Sequence, residues 1–178
     1  MPTANPTPTT WLDELNHQRW LDDGFAKILR FALRSVRPAG GFHYLDGDGL
    51  PMPDRSPELF LTARMAWISS AGVRRGVPGS GALLDHAMDS LLGFHWDAEH
   101  EGWFTQPGTE TRKSTYDHVH CGMAASGARA AGHPRAGELM DRVIEVIDRG
   151  LGGPSTQTPF ESCAPAWRDC VDYRGATA

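Results

Sequence analysis

The chain has 178 residues, of which 40% are hydrophobic, and it carries a net charge of −5 at neutral pH. This length suffices for one domain with its own core, and the mildly acidic charge, without any cluster of lysine and arginine, argues against a nucleic-acid partner. The sequence contains no apolar run of membrane-spanning length and no signal-peptide pattern at its start, so no membrane partner is expected. The three cysteines, Cys121, Cys163 and Cys170, are odd in number and form no CxxC pair. They are interpreted as reduced thiols of a cytoplasmic protein.

The first element in chain order is a long amphipathic helix. Residues 1–8 include three prolines and are expected to form a flexible arm. A helix then begins at residue 9 or 10 and continues to Pro38, with one charged face that predicts exposure to solvent. Residues 42–45 form a short extended segment, and a glycine-rich turn at 46–49 closes it.

The stretch 56–72 is apolar on nearly every face. Ser56 is a favourable N-cap, Pro57 suits the first helical position, and Gly72 is a favourable C-cap. A helix that is hydrophobic all round is expected to be buried all round. Arg64, in its middle, is the exception, because no carboxylate lies three or four residues away to pair with it. A guanidinium in apolar surroundings needs either a distant acidic residue or a polar ligand.

Three further helices follow. Residues 82–93 and 135–150 have amphipathic patterns, whereas 114–131 consists mainly of small residues. Small side chains allow helices to approach closely, so 114–131 is predicted to be a second buried helix. A hairpin is expected across 107–108, and residues 151–178 are expected to be irregular.

The order of these elements repeats. Gly41 and Gly102 lie about sixty residues apart, and each precedes a turn and a buried helix. The buried helices end near Gly72 and Gly132, again about sixty residues apart. A helical hairpin that recurs at this interval indicates an array architecture. Half-exposed outer helices around covered inner helices predict an all-α double ring, for which this length supplies about three hairpins with short β-hairpin turns.

Four motifs occur in a fixed order: Leu61-Thr62-Ala63-Arg64-Met65, Gly102-Trp103-Phe104, Tyr116-Asp117-His118 and Tyr173-Arg174-Gly175-Ala176. In this order they resemble the N-acylglucosamine 2-epimerase superfamily, and most closely its mannose and sulfoquinovose isomerase branch. The resemblance implies that residues 9–178 form the N-terminal half of an (α/α)6 barrel. It also implies aldose–ketose isomerisation or 2-epimerisation through an enediol, without a metal or other cofactor, by two histidines as general acid and base. Those histidines are expected beyond residue 178, so this chain alone is predicted to be a truncated, inactive isomerase.

The resemblance also implies substrate-binding positions. Arg64 matches an arginine that binds sugar hydroxyls, and Tyr116 matches a tyrosine that reaches the same pocket. Phe60 takes a place often held by tryptophan beside the sugar. His120 joins this set because it lies four residues after Tyr116, on the same helical face. The expected partner is therefore a monosaccharide, and the catalytic residues are not assigned in this sequence.

Other interpretations of the same residues stay open. Arg64 could form a structural ion pair with Asp117 or Glu58, and Tyr116 could be an ordinary core residue. Glu58 and Asp117 are the acids of the two buried helices, so a glycoside hydrolase with paired carboxylates is the alternative enzyme. A third alternative is a non-catalytic half-barrel that binds a sugar. Exposed edges of its inner helices predict self-association into a homo-oligomer.

No metal site is expected. His118 and His120 are two residues apart, so their rings do not share a helical face. The turn at 46–49 resembles the start of a calcium loop, but no bidentate glutamate follows at the required position.

Overall fold

The computed structural model describes residues 10–108, 112–152 and 159–172. The arm at 1–8 and the motif at 173–176 lie outside these residues. Short 3-10 turns flank the first helix, and π-helical turns extend the third and fifth helices to Phe94 and Leu151. The described part of the chain contains five α-helices: α1 (Leu15–Ala32), α2 (Leu59–Arg74), α3 (Ser80–Asp89), α4 (Thr115–Ala130) and α5 (Ala136–Val146).

The helices α2 and α4 lie side by side and run in the same direction. Near the start of both helices, Arg64 forms a hydrogen bond to Tyr116. Further along, Gly127 approaches so closely that an added Cβ would lie 2.8 Å from the Trp67 ring. The helices α3 and α5 pack against α2 and α4 respectively, each as the second arm of a helical hairpin. The repeated helical hairpin predicted from the sequence is therefore present.

Helix α1 is more exposed than its amphipathic pattern predicts. Its one fully buried side chain among the described residues is Leu29, which packs on the core. Trp20 and Ile28 on this helix, and Trp11 in the turn before it, are between 64% and 77% exposed. This apolar surface suits the predicted self-association, which stays a prediction. Within the described ranges, no helix is long and apolar enough to cross a membrane.

The predicted ends of α2 are wrong. The backbone of Glu58 is extended, with φ −106° and ψ 145°, so the helix begins at Leu59 rather than after Ser56. The Leu59 N–H donates to the carbonyl of Thr105, 2.9 Å away, which holds this start against the loop before α4. The helix also continues past Gly72 to Arg74. At Gly72 the helix instead packs closely on its neighbours, because an added Cβ would lie 2.3 Å from Ser80 Oγ and 2.5 Å from Leu29 Cδ1.

The core lies where α2, α3, α4 and α5 meet. The small residues of α4 are buried, with Ala124, Ala125 and Ala128 fully covered, as their pattern predicts. Trp103, from the loop before α4, is also fully buried and donates from Nε1 to the Leu91 carbonyl at 2.6 Å.

The prediction that α2 and α4 are buried all round is wrong. Arg64 is exposed, and Trp67 on the same helix is 44% exposed. On α4, Tyr116 and Val119 are 56% and 54% exposed. No described residue covers this side of the two helices, so each inner helix has one open face. The candidate site lies on this face.

The expectation of an irregular segment after residue 151 is also wrong for residues 160–163 and 171–172, which form strands. Three short antiparallel strands, β1 (Lys113–Ser114), β2 (Phe160–Cys163) and β3 (Val171–Asp172), form a sheet in the order β1-β2-β3. The strands have only two to four residues, too few for an alternating pattern to be detected, and β2 pairs with β1 from about fifty residues earlier.

The interpretation of all three cysteines as reduced thiols is contradicted as well. Cys163 and Cys170 form a disulfide, with their Cα atoms 4.0 Å apart. The chain turns back between β2 and β3, which brings the two cysteines together. Cys121 is free and buried in α4.

Candidate functional site

The four residues singled out from the sequence meet near the N-terminal ends of α2 and α4. Phe60 and Arg64 lie one turn apart on α2, and Tyr116 and His120 lie one turn apart on α4. The Arg64 guanidinium crosses between the helices, where Nη2 donates to the Tyr116 hydroxyl at 2.7 Å. Its Nε donates to His120 Nε2 at 3.3 Å. We call these four side chains the arginine cluster.

Aromatic rings surround the guanidinium. Its central carbon lies 5.0 Å from the centre of the Phe60 ring, within the range of a cation–π contact. The ring centres of Tyr116 and His120 are 4.4 Å apart, and that of Phe60 lies 6.1 Å from Tyr116. The cluster therefore combines one permanent positive charge with three flat ring surfaces.

Within the described part of the chain, no carboxylate lies within ion-pair distance of Arg64. Glu58 has other partners, because Oε1 accepts from Gln106 Nε2 at 3.0 Å and Oε2 accepts from the Tyr44 hydroxyl. Burial, together with the hydrogen bond to Glu58 and its charge, raises the pKa of Tyr44 to about 12. The phenol therefore stays protonated and keeps donating to Glu58.

Asp117 also has other partners. Its Oδ2 accepts from the hydroxyls of Thr105 at 2.5 Å and Ser114 at 2.8 Å, and its side chain is almost fully buried. Its backbone N–H donates back to the Ser114 hydroxyl at 3.1 Å, so the residue belongs to the N-terminal cap of α4. The structural ion pairs considered for Arg64 are therefore not formed.

Two other histidines near these helices are turned into the core. His118 Nε2 accepts from the Trp103 backbone N–H at 3.2 Å, and burial lowers its pKa to about 4. His95 is fully buried beside Thr62, and burial likewise lowers its pKa to about 4. Both rings are neutral at pH 7 and act in packing.

Comparison with known proteins gives these residues a context. The family model described as N-acylglucosamine 2-epimerase (GlcNAc 2-epimerase) matches residues 40–178. The chain belongs to the N-acylglucosamine 2-epimerase family.

Within this family, the chain is similar to two curated D-mannose isomerases. It is 35% identical over 175 residues to that of Thermobifida fusca, an alignment that covers 96% of this chain and 43% of the relative. It is 34% identical over 181 residues to that of Pseudomonas cannabina pv. alisalensis, covering 100% of this chain and 44% of the relative. The chain thus spans less than half the length of the curated relatives it matches.

Solved structures agree with this assignment. The cellobiose 2-epimerase of Spirochaeta thermophila DSM 6192 superposes with a TM-score of 0.72 and 25% identity, over 92% of this chain and 43% of that one. A crystal structure of D-mannose isomerase superposes with a TM-score of 0.76 over 94% of this chain and 45% of that one; at 16% identity this likeness concerns the fold. The predicted fold class is confirmed: the chain has the fold of the N-terminal half of an (α/α)6 barrel.

Two polar residues of this epimerase-family chain were missed by the sequence analysis. Tyr44 and Gln106 hold Glu58 at the start of α2, and the Arg64 charge acts on the Tyr44 phenol. The sixty-residue repeat is a signal that could have identified both, because each residue lies a few positions after one of the repeated glycines, Gly41 and Gly102. The turn before each inner helix therefore delivers polar groups to the same end of the fold.

A groove of about 300 Å³ lies between α2 and α4, further along from the arginine cluster, and includes Trp67, Arg74 and Gly127 in its lining. Among the described residues, no group of three or more potential ligand side chains is placed to hold a metal ion. The chemistry available at the cluster itself is hydrogen bonding and ring contact.

Proposed function

We propose that this chain supplies the sugar-binding face of a cofactor-independent sugar isomerase or 2-epimerase. The observation that carries the proposal is the state of Arg64. Its guanidinium is exposed, has no carboxylate partner among the described residues, and is held by Tyr116 and His120 on one edge only. The other edge keeps N–H groups that no described protein group accepts.

A sugar suits this arrangement. Its hydroxyl oxygens accept hydrogen bonds from a guanidinium, and its C–H faces pack against aromatic rings. In this proposal the free N–H groups of Arg64 bind adjacent sugar hydroxyls, Phe60 packs beside the sugar ring, and the Tyr116 hydroxyl contacts a further oxygen. The names of the curated relatives make D-mannose the first sugar to test.

The reaction proposed for the whole protein passes through an enediol. A base removes the proton next to the carbonyl carbon, and an acid returns a proton at the neighbouring carbon or on the other face of the same carbon. Histidines suit both roles near neutral pH. They are proposed to lie beyond residue 178.

Sugar binding by the 178-residue chain tests the proposal. D-mannose is titrated while saturation-transfer NMR reports the bound sugar, with Arg64→Met as the test variant. Because hydrogen bonds to a charged group contribute about 1.5–3 kcal/mol, we expect affinity to fall about tenfold or more. Arg74→Met is the matched control, since Arg74 is an exposed arginine at the other end of α2. Equal binding by the two variants would overturn the proposed role of Arg64.

A second experiment tests the location of the acid and base. The same chain is incubated with D-mannose in D₂O, and deuterium at C2 and formation of a ketose are followed by NMR. We expect neither product. Turnover at enzymatic rates would show that the catalytic groups lie within the 178 residues.

A further inference from the structure

His120 has a geometry that distinguishes it from the other members of the arginine cluster. Its Nδ1 lies 2.8 Å from the carbonyl oxygen of Tyr116, one turn earlier on α4. Its Nε2 lies 3.3 Å from Arg64 Nε. Both ring nitrogens are thus occupied by protein groups, and neither is left for a sugar.

These contacts determine the tautomer. A carbonyl oxygen only accepts, so Nδ1 must carry the proton and donate to Tyr116. The Arg64 Nε–H only donates, so Nε2 must be unprotonated and accept. His120 is therefore held as the neutral ring with its proton on Nδ1.

The two partners of Arg64 lie along one edge of its fork. Nε donates to His120 and Nη2 donates to Tyr116, so the side edge of the guanidinium is fully used. The end edge, formed by Nη1 and the second hydrogen of Nη2, is left open. A guanidinium fixed in this way loses less rotamer freedom when it binds a ligand.

We propose that His120 is a positioning residue, which directs the end edge of Arg64 towards two adjacent ligand oxygens rather than binding the ligand itself. Two vicinal hydroxyls of a sugar match this edge. The link to sugar rests on the proposed function; the positioning of Arg64 does not.

The test follows the Arg64 Nε–H in the ¹⁵N-labelled chain without any sugar. Its resonance is assigned by its loss in Arg64→Lys, and its exchange with water is measured at pH 7.5. A lost hydrogen bond of about 1 kcal/mol predicts an exchange rate about five times higher in His120→Phe, which keeps a ring but has no acceptor. His120→Gln offers an amide oxygen and should restore part of the protection.

Equal exchange of the Arg64 Nε–H in the unmodified chain and in His120→Phe would overturn the positioning role.

Adding D-mannose separates the two proposals. Weaker mannose binding by His120→Phe than by His120→Gln would support positioning for the sugar. Protected Arg64 Nε–H without any response to mannose would support the positioning of Arg64 and overturn the proposed sugar site alone.

Discussion

The ammonium of Lys113 lies 2.8 Å from Asp97 Oδ2, and the two side chains are only 0% and 4% exposed. The ammonium also donates to the Glu101 carbonyl and lies 4.5 Å from the centre of the Trp167 ring. This buried pair ties the start of the sheet to the loop before α4. Burial lowers the pKa of Lys113. Burial alone would raise the pKa of Asp97. Hydrogen bonds from Lys113 and from the backbone of His100 and Glu99 outweigh this effect of burial, so the pKa of Asp97 is lowered.

Removing one partner of this pair should be strongly destabilising. In Lys113→Met the Asp97 carboxylate stays buried without its counter-charge, so we expect the free energy of unfolding to fall by about 3–5 kcal/mol. Urea denaturation followed by circular dichroism measures the loss. Lys27→Met is the matched control, because Lys27 is exposed on α1 and should change stability by less than about 0.5 kcal/mol. Similar values for both variants would contradict the role assigned to the pair.

Stability should fall on mild acidification because of His95 and His118. Their pKa values are about 4 in the folded chain, against 6.5 for an unperturbed histidine. Between pH 6.5 and 4 the unfolded chain therefore binds more protons, so stability decreases as the pH falls through this window. The expected loss is about 3 kcal/mol for each histidine. Urea unfolding midpoints at pH 7 and pH 4.5 measure this loss of stability. The control variant is His17→Gln, outside the core, which should show the same loss as the unmodified chain. A flat profile would contradict the assignment.

Replacing two glycines, Gly72 and Gly137, by alanine should change the stability of the fold in opposite directions. In Gly72→Ala the new methyl group would lie 2.3 Å from Ser80 Oγ and 2.5 Å from Leu29 Cδ1, so overpacking of about 1–3 kcal/mol should outweigh the gain in helix propensity. In Gly137→Ala, on α5, the methyl group meets no atom within 4 Å. This variant should gain about 0.5–1 kcal/mol. Thermal unfolding of both variants measures the two changes in stability, and stabilisation by Gly72→Ala would contradict the close packing of α1 and α3 on α2 at this position.

The disulfide between Cys163 and Cys170 should stabilise the fold. Trp167, in the loop that it closes, covers Lys113 and donates from Nε1 to the His100 carbonyl at 2.6 Å. For so short a loop, Cys170→Ser should lower the free energy of unfolding by about 2 kcal/mol. Urea unfolding with and without dithiothreitol provides the control: reductant should destabilise the unmodified chain and leave the variant unaffected. An equal response of both chains would show that the bond does not stabilise the chain.

The sequence by itself determined the number, order and approximate bounds of the helices. Their signals are local: hydrophobic periodicity, the small residues of 114–131, and glycines near the helix ends. The apolar pattern of 56–72 singled out Arg64, and sequence spacing placed His120 on the same face of α4 as Tyr116. The family resemblance added Phe60 and Tyr116. The structure brings these four side chains into contact; their binding of a sugar stays a proposal.

Only the tertiary structure decided which groups meet across the chain. Arg64 pairs with Tyr116 and His120 rather than with Glu58 or Asp117. Both carboxylates are already bonded to nearby hydroxyl or amide groups. The start of α2 depends on the Thr105 carbonyl, and the sheet depends on Lys113 pairing with Cys163. Such contacts join residues 45 to 60 positions apart, and no local pattern encodes them. Local preferences determine the helices, whereas the competition among all available donors and acceptors determines their partners.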